Sequence, residues 1–163
     1  MTGGSKDDLI NDFMVKTWLA ILFALLFGLE SRAQSKRIVF VCEHGSAKSI
    51  IAVSYFNKIA KEKNLSWEAV SRGTSPDAEI SSKTRKLLTD DHMPVPDIKP
   101  QAITQKDIDE ANQVILFFPL PENIKGGDKL DYWLGIDAVN GDFEKLRDDI
   151  LAKLLPLIDS LEH

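Results

Sequence analysis

The chain has 163 residues, of which 44% are hydrophobic and 28% charged. That is the make-up of one folded domain with its own core, and it excludes a disordered polymer. A net charge of −5 without a Lys/Arg stripe argues against a nucleic-acid surface, and a single cysteine excludes an intramolecular disulfide framework.

In chain order, Met14-Val-Lys16-Thr17 leads into an apolar run from Trp18 to Leu29. Ser31 and Ala33 then fill the two small positions of an A-x-A-like cleavage site. Residues 1–33 read as a secretory signal peptide. The run is short for a bilayer, which takes about 20 residues. Asp7, Asp8 and Asp12 are foreign to a basic leader, a conflict that initiation at Met14 removes. An uncleaved membrane anchor and an amphipathic helix of the domain are the alternatives. On the first reading the mature protein starts near Gln34, the domain is 34–163, and the location is periplasmic or secreted. Otherwise it is cytoplasmic. Membrane contact is expected only if residues 18–29 stay uncleaved.

Arg37-Ile-Val-Phe-Val-Cys42 is a β-branched, apolar run and predicts a buried strand. Glu43-His44-Gly45-Ser46-Ala47-Lys48-Ser49 follows as a small-residue loop. Ile51, Ala52, Tyr55, Phe56 and Ile59 then recur at helical spacing, predicting a helix from Ser49 to Lys63. Trp67 to Val70 reads as a short strand and Ser71 to Pro76 as a turn. Ile80 to Thr89 reads as a helix with Ser81 or Ser82 at its cap. Met93 to Asp97, with two prolines, must be loop. Thr104 to Ala111 predicts a short helix whose Thr104 and Asp107 form a capping-box variant. Val114 to Phe118 is a buried strand, Pro119 to Asp131 a loop, and Phe143 to Leu161 a last helix that Pro156 would kink. Strands alternating with helices imply an α/β three-layer sandwich: a central parallel sheet of about four strands with helices on both faces.

A lone cysteine often serves as a small buried hydrophobe. At a strand-to-helix turn, however, converging backbone N–H groups and the helix dipole stabilise a thiolate and a bound oxyanion. Cys42 to Ser49 is therefore the candidate site, a phosphate-binding loop after the first strand. A nucleotide-binding loop, G-x-x-x-x-G-K-[ST], would need glycines where Cys42 and Ala47 stand. Cys42 and His44 are too few ligands for zinc, and His92 and His163 are remote in sequence, so no metal is expected and no cofactor is called for.

Taken together, these residues resemble the low-molecular-weight protein tyrosine phosphatases and the thiol-dependent arsenate reductases that share their fold. Ile38 to Cys42 resembles the first strand and nucleophile, and Ser71-Arg72-Gly73-Thr74 the Ser-Ala-Gly-Thr segment. Asp107 to Phe118 resembles the helix and strand around "D-x-x-x-A-D-x-V-I". Trp133 to Asp137 resembles the W-x-x-x-D segment, with a spacing closer to the reductase branch. The resemblance implies that Cys42 attacks phosphorus, that the amides of residues 43–48 hold the equatorial oxygens, and that Ser49 supports the thiolate. Asp137, with Asp131 as fallback, would protonate the leaving group and then activate water. Tyr132 and Trp133 would wall the site, or else pack its loop onto the core.

Three departures stand out. Lys48 occupies the arginine position of C-x-x-x-x-x-R-[ST], giving a point charge in place of a two-pronged fork. Glu43 puts negative charge near an anion site, and Ala138 replaces the proline usual after the acid. The expected function is a cysteine-dependent phosphate monoester hydrolase acting on a phosphorylated small molecule or a phosphotyrosine protein. The alternatives are a thiol-dependent arsenate reductase, with arsenate as substrate, and a non-catalytic oxyanion-binding relative. The thioredoxin-linked reductase needs further cysteines in its own chain, so here an external thiol or redoxin would have to regenerate Cys42.

Overall fold

The computed structural model describes residues 35–137 and 139–162. The signal-peptide reading of residues 1–33 lies outside them. Four strands form one parallel sheet: β1 (Lys36–Cys42), β2 (Trp67–Gly73), β3 (Gln113–Leu116) and β4 (Leu130–Tyr132), in the order β2-β1-β3-β4. The helices are α1 (Lys48–Glu62), α2 (Ser82–Asp90), α3 (Gln105–Glu110) and α4 (Phe143–Ser160). Among the described residues, no helix is long and apolar enough to cross a membrane.

β1 lies at the centre because its run of β-branched and aromatic residues can be buried on both sides. Ile38, Phe40 and Cys42 turn to one face, packing with Ile51 and Phe56 of α1 and Ile150 and Leu154 of α4. Val39 and Val41 turn to the other, against Ile108 of α3, Val114 and Leu116. That division follows from the two-residue period of a strand, and it gives the expected three layers. Phe40 is fully buried between Phe56, Phe117 and Trp133, with ring centroids 6.0–6.3 Å away. Truncating such a side chain costs about 3–5 kcal/mol.

The helix ends obey local chemistry. Ser81 accepts the Thr84 N–H and caps α2. Thr104 and Asp107 make the reciprocal bonds of a capping box at the start of α3, as their spacing predicts. α1 ends where Asn64 takes a left-handed φ of 54° and the Leu65 N–H reaches back 2.8 Å to the Ala60 carbonyl. α4 runs through Pro156 as one helix. β4 is the element that sequence reading assigned to loop. It has three residues and no β-branched run, and it exists because Leu116 of β3 pairs with Tyr132. β2 also extends to Gly73, three residues past the predicted end, since β1 pairs with it throughout.

Register places function. Cys42 stands beside Gly73, and Val41 beside Leu116, so the strand ends converge on one rim of the sheet. Ligands of open parallel sheets bind at that rim.

Candidate active site

Cys42 ends β1 and Lys48 begins α1, so residues 43–47 must turn the chain within one short loop. Gly45 makes this possible with a φ of +61°, a region that side chains with a Cβ rarely adopt. The loop rests directly on the end of β2. A Cβ built on Gly73 would lie 2.8 Å from the Gly45 nitrogen and 2.9 Å from the His44 carbonyl carbon. Glycine is required there by contact, since backbone meets backbone.

Cys42 is 4% exposed. The Gly45 N–H donates to Cys42 Sγ at 3.1 Å, and Ser49 Oγ lies 3.1 Å from the same sulfur. Ser71 Oγ donates to Ser49 Oγ at 2.7 Å, which leaves the Ser49 proton free to point at sulfur. Ala47 occupies the N-cap position of α1, and no side chain caps this helix. Its first amides therefore need an outside acceptor, and the positive end of the helix faces the thiol loop. Such an end is suited to a thiolate and to a tetrahedral oxyanion.

A second segment clasps the loop from outside. The N–H groups of Thr74, Ser75, Asp77 and Ser81 donate to the carbonyls of Cys42, Glu43, His44 and Ser46 at 2.8–3.2 Å. Ser46 Oγ donates to Asp77 at 2.5 Å. These bonds hold the loop by its carbonyls, while the Gly45 amide points to the sulfur. Glu43 is turned toward solvent, with its carboxylate 3.6 Å from His44 Nε2. His44 Nδ1 lies 3.6 Å from Asp77, so the ring stands between two carboxylates at the loop's edge.

Lys48 Nζ meets Asp137 Oδ1 at 2.5 Å. The chain thus brings the loop cation and the candidate acid together across 89 positions. Lys48 is largely covered and Asp137 exposed. Arg72 does not stand in for the absent loop arginine. Its guanidinium is held by Asp107 at 2.7 Å, and both side chains are largely buried. Asp131, the fallback acid, accepts the Trp133 indole N–H at 2.9 Å and is tied to that ring. Trp133 itself is 4% exposed and packs edge-on against Phe117 with centroids 5.7 Å apart. It anchors the acid segment to the core; its size and apolar ring favour burial over a place in the site wall. Tyr132 is exposed, as is Phe118 after β3.

Residues that sequence reading did not place in the site are Ser71, Gly73 and Asp77. Ser71 and Gly73 sit in the segment already singled out by resemblance, and their Ser-x-Gly pattern at a strand end was the available signal. Asp77 carries no motif. Among the described residues no group of three His, Cys, Asp or Glu side chains converges as a metal site would require.

The fold is shared with several solved structures. YfkJ from Bacillus subtilis superposes with a TM-score of 0.69 at 19% identity, over 81% of this chain and 98% of that one. A thioredoxin-dependent arsenate reductase from Corynebacterium glutamicum gives 0.67 at 19% identity, over 94% and 74%. A low molecular weight protein tyrosine phosphatase from T. tengcongensis gives 0.59 at 23% identity, over 78% and 97%. No curated protein sequence matches the chain. The model of the low molecular weight phosphotyrosine protein phosphatases matches residues 37–118, from the start of β1 past the end of β3. With half the sequence matched, thiol loop included, this chain belongs to the low molecular weight phosphotyrosine protein phosphatase family.

Proposed function

We propose that the chain hydrolyses phosphate monoesters, with phenolic esters such as phosphotyrosine as the substrate class, through a cysteinyl-phosphate intermediate. The observation that carries this is the pair of hydrogen bonds on Cys42 Sγ, from Gly45 N–H and with Ser49 Oγ, at the start of an uncapped helix. A thiol kept only for packing has no use for such donors. In the first step sulfur bonds to phosphorus and the P–O bond to the leaving group breaks. Asp137 gives its proton to the departing oxygen. In the second, Asp137 takes a proton from water, whose oxygen displaces sulfur and releases inorganic phosphate.

Lys48 links binding to acid chemistry. Its ammonium is paired with Asp137 at 2.5 Å. An incoming phosphoryl group competes for that ammonium, and the released Asp137 takes up the proton that Cys42 gives up on becoming the thiolate, which is the proton it passes to the leaving group. Exposed Tyr132 offers an apolar face to a phenolic ester. Hydrolysis of p-nitrophenyl phosphate without added thiol, beside Cys42→Ser, tests the reading. Saturable turnover lost in the variant is expected. A folded wild-type protein without turnover overturns it; turnover of arsenate that requires an added thiol would assign the reductase chemistry instead.

A further inference from the structure

The thiol loop carries a charge that anion binding does not call for. Glu43 directly follows Cys42, at the edge of a loop suited to an oxyanion. Asp77, which clasps the loop from the segment after β2, adds a second carboxylate. Lys48 does not offset them, because its ammonium is paired with Asp137. Glu43, Asp77 and Asp137 thus stand against one ammonium, and His44 is the side chain placed between the first two.

Both nitrogens of the His44 ring face acceptors. Nε2 lies 3.6 Å from a Glu43 carboxylate oxygen. Nδ1 lies 3.6 Å from Asp77 Oδ1 and 3.4 Å from the Ser75 carbonyl oxygen. Among the described residues, Glu43 and Asp77 are the carboxylates within ion-pair reach of the ring. A neutral imidazole has one N–H and one lone pair, so either tautomer turns a lone pair toward oxygen. Only the imidazolium, a donor at both nitrogens, suits this frame. At 3.6 Å each carboxylate meets the ring by charge rather than by a hydrogen bond.

Asp77 ties the ring to the loop. Its other carboxylate oxygen accepts the hydroxyl of buried Ser46, and its backbone N–H donates to the His44 carbonyl at 3.0 Å. Gly45, between His44 and Ser46, supplies the amide that reaches Cys42 Sγ. A charge on the ring is therefore fixed beside the loop by backbone and side chain together. The His44 side chain is 54% exposed, so protons reach it from solvent. We propose that His44 sets the charge of the oxyanion site: its protonated ring bridges Glu43 and Asp77, cancels the negative rim and admits a doubly charged oxyanion, whereas the neutral ring leaves that rim uncompensated. The proposal rests on the reading of residues 43–49 as an oxyanion loop. His44 acts in it as a positioning residue, through charge and through Asp77. Histidine is the side chain whose charge ordinarily changes between pH 5 and 8, so dianion binding strengthens as pH falls across that range.

The probe is sulfate, a dianion throughout that range. It is titrated at low ionic strength into the full ¹⁵N-labelled chain carrying Cys42→Ser, so that no thiol titrates. Amide shifts of residues 43–49 report binding in the loop. Kd should fall about fivefold from pH 8 to pH 5.5, the order expected of one unit charge acting on a dianion across a solvated rim. His44→Gln should show the weaker Kd at both pH values, and His44→Lys, cationic throughout, the tighter one. Both changes fall on a half-exposed side chain and should leave amide shifts outside the loop native. An undiminished pH dependence in His44→Gln overturns the proposal and leaves the oxyanion loop standing. So does a His44→Lys chain that binds no tighter at pH 8 than His44→Gln. Sulfate shifts absent from residues 43–49 at both pH values overturn the oxyanion loop itself, and the proposal with it.

Discussion

Lys48 starts α1 six residues after Cys42 and pairs with Asp137 at 2.5 Å. An arginine in its place would hold two oxygens of the transferred phosphoryl group in one plane, whereas an ammonium holds one direction at a time. Losing an aligned transition-state donor costs roughly 10²–10³ in rate. Lys48→Arg should therefore raise kcat/KM toward p-nitrophenyl phosphate by about tenfold or more, with circular dichroism unchanged. An unaltered or lowered kcat/KM would show that the loop has been retuned around the ammonium, with Asp137 as its partner. Ser49 acts on the sulfur itself. Ser49→Ala removes the hydroxyl 3.1 Å from Cys42 Sγ, and alkylation of Cys42 by iodoacetamide at pH 7 should slow severalfold.

Elements, at the next scale, touch where side chains have been removed. The turn between β1 and α1 lies against the end of β2, and Gly73 permits the approach. Gly73→Ala must push the Gly45 amide off the thiol. Competitive inhibition by inorganic phosphate should weaken by tenfold or more, of order 1.4 kcal/mol, while the far-UV spectrum stays native. Unchanged inhibition would mean that the loop amides do not bind the oxyanion. α3 is fixed differently. Asp107 closes the capping box and also receives Arg72 of β2. Asp107→Asn leaves a largely buried guanidinium short of its charge partner, which should cost about 3 kcal/mol in urea unfolding.

For the whole molecule, two carboxylates fasten separate layers and make stability depend on acid. Burial pulls both Asp91 and Asp107 upward, but their hydrogen bonds and neighbouring cations outweigh it, and both are held below the ordinary carboxylate range. For Asp107 the opposing partners are Arg72 and Thr104, for Asp91 Tyr55 and Arg147. Arg147 belongs to α4 and donates twice to Asp91 at 3.0 Å, while Tyr55 of α1 donates at 2.5 Å. A depressed carboxylate stabilises the fold fully above its unfolded value, about 4, and loses that contribution as pH falls through the folded value. The urea midpoint should thus be flat from pH 7 to 5 and fall below about pH 4. Asp91→Asn should lower the plateau and make that fall shallower. An equally steep fall in the variant would assign acid sensitivity to other groups.

The sequence by itself determined β1, the thiol loop, the capped starts of α2 and α3, and the parallel α/β layering. In each, the information is local: a β-branched run, a glycine that can take positive φ, a Thr-x-x-Asp box, a helical apolar stripe. Even the Lys48 substitution was legible, because the loop is a short contiguous segment. Tertiary structure alone decided which distant groups meet. β4 is too short to declare itself and is made by pairing with β3. Trp133 and Tyr132 are adjacent aromatics, yet one is core and the other surface, a choice set by the space beside Phe40 and Phe117. Asp137 was the expected acid and Asp131 its fallback, and only the structure shows one paired with Lys48 and the other with an indole. Long-range contacts of this kind depend on shape and on competition among partners, which no window of sequence contains.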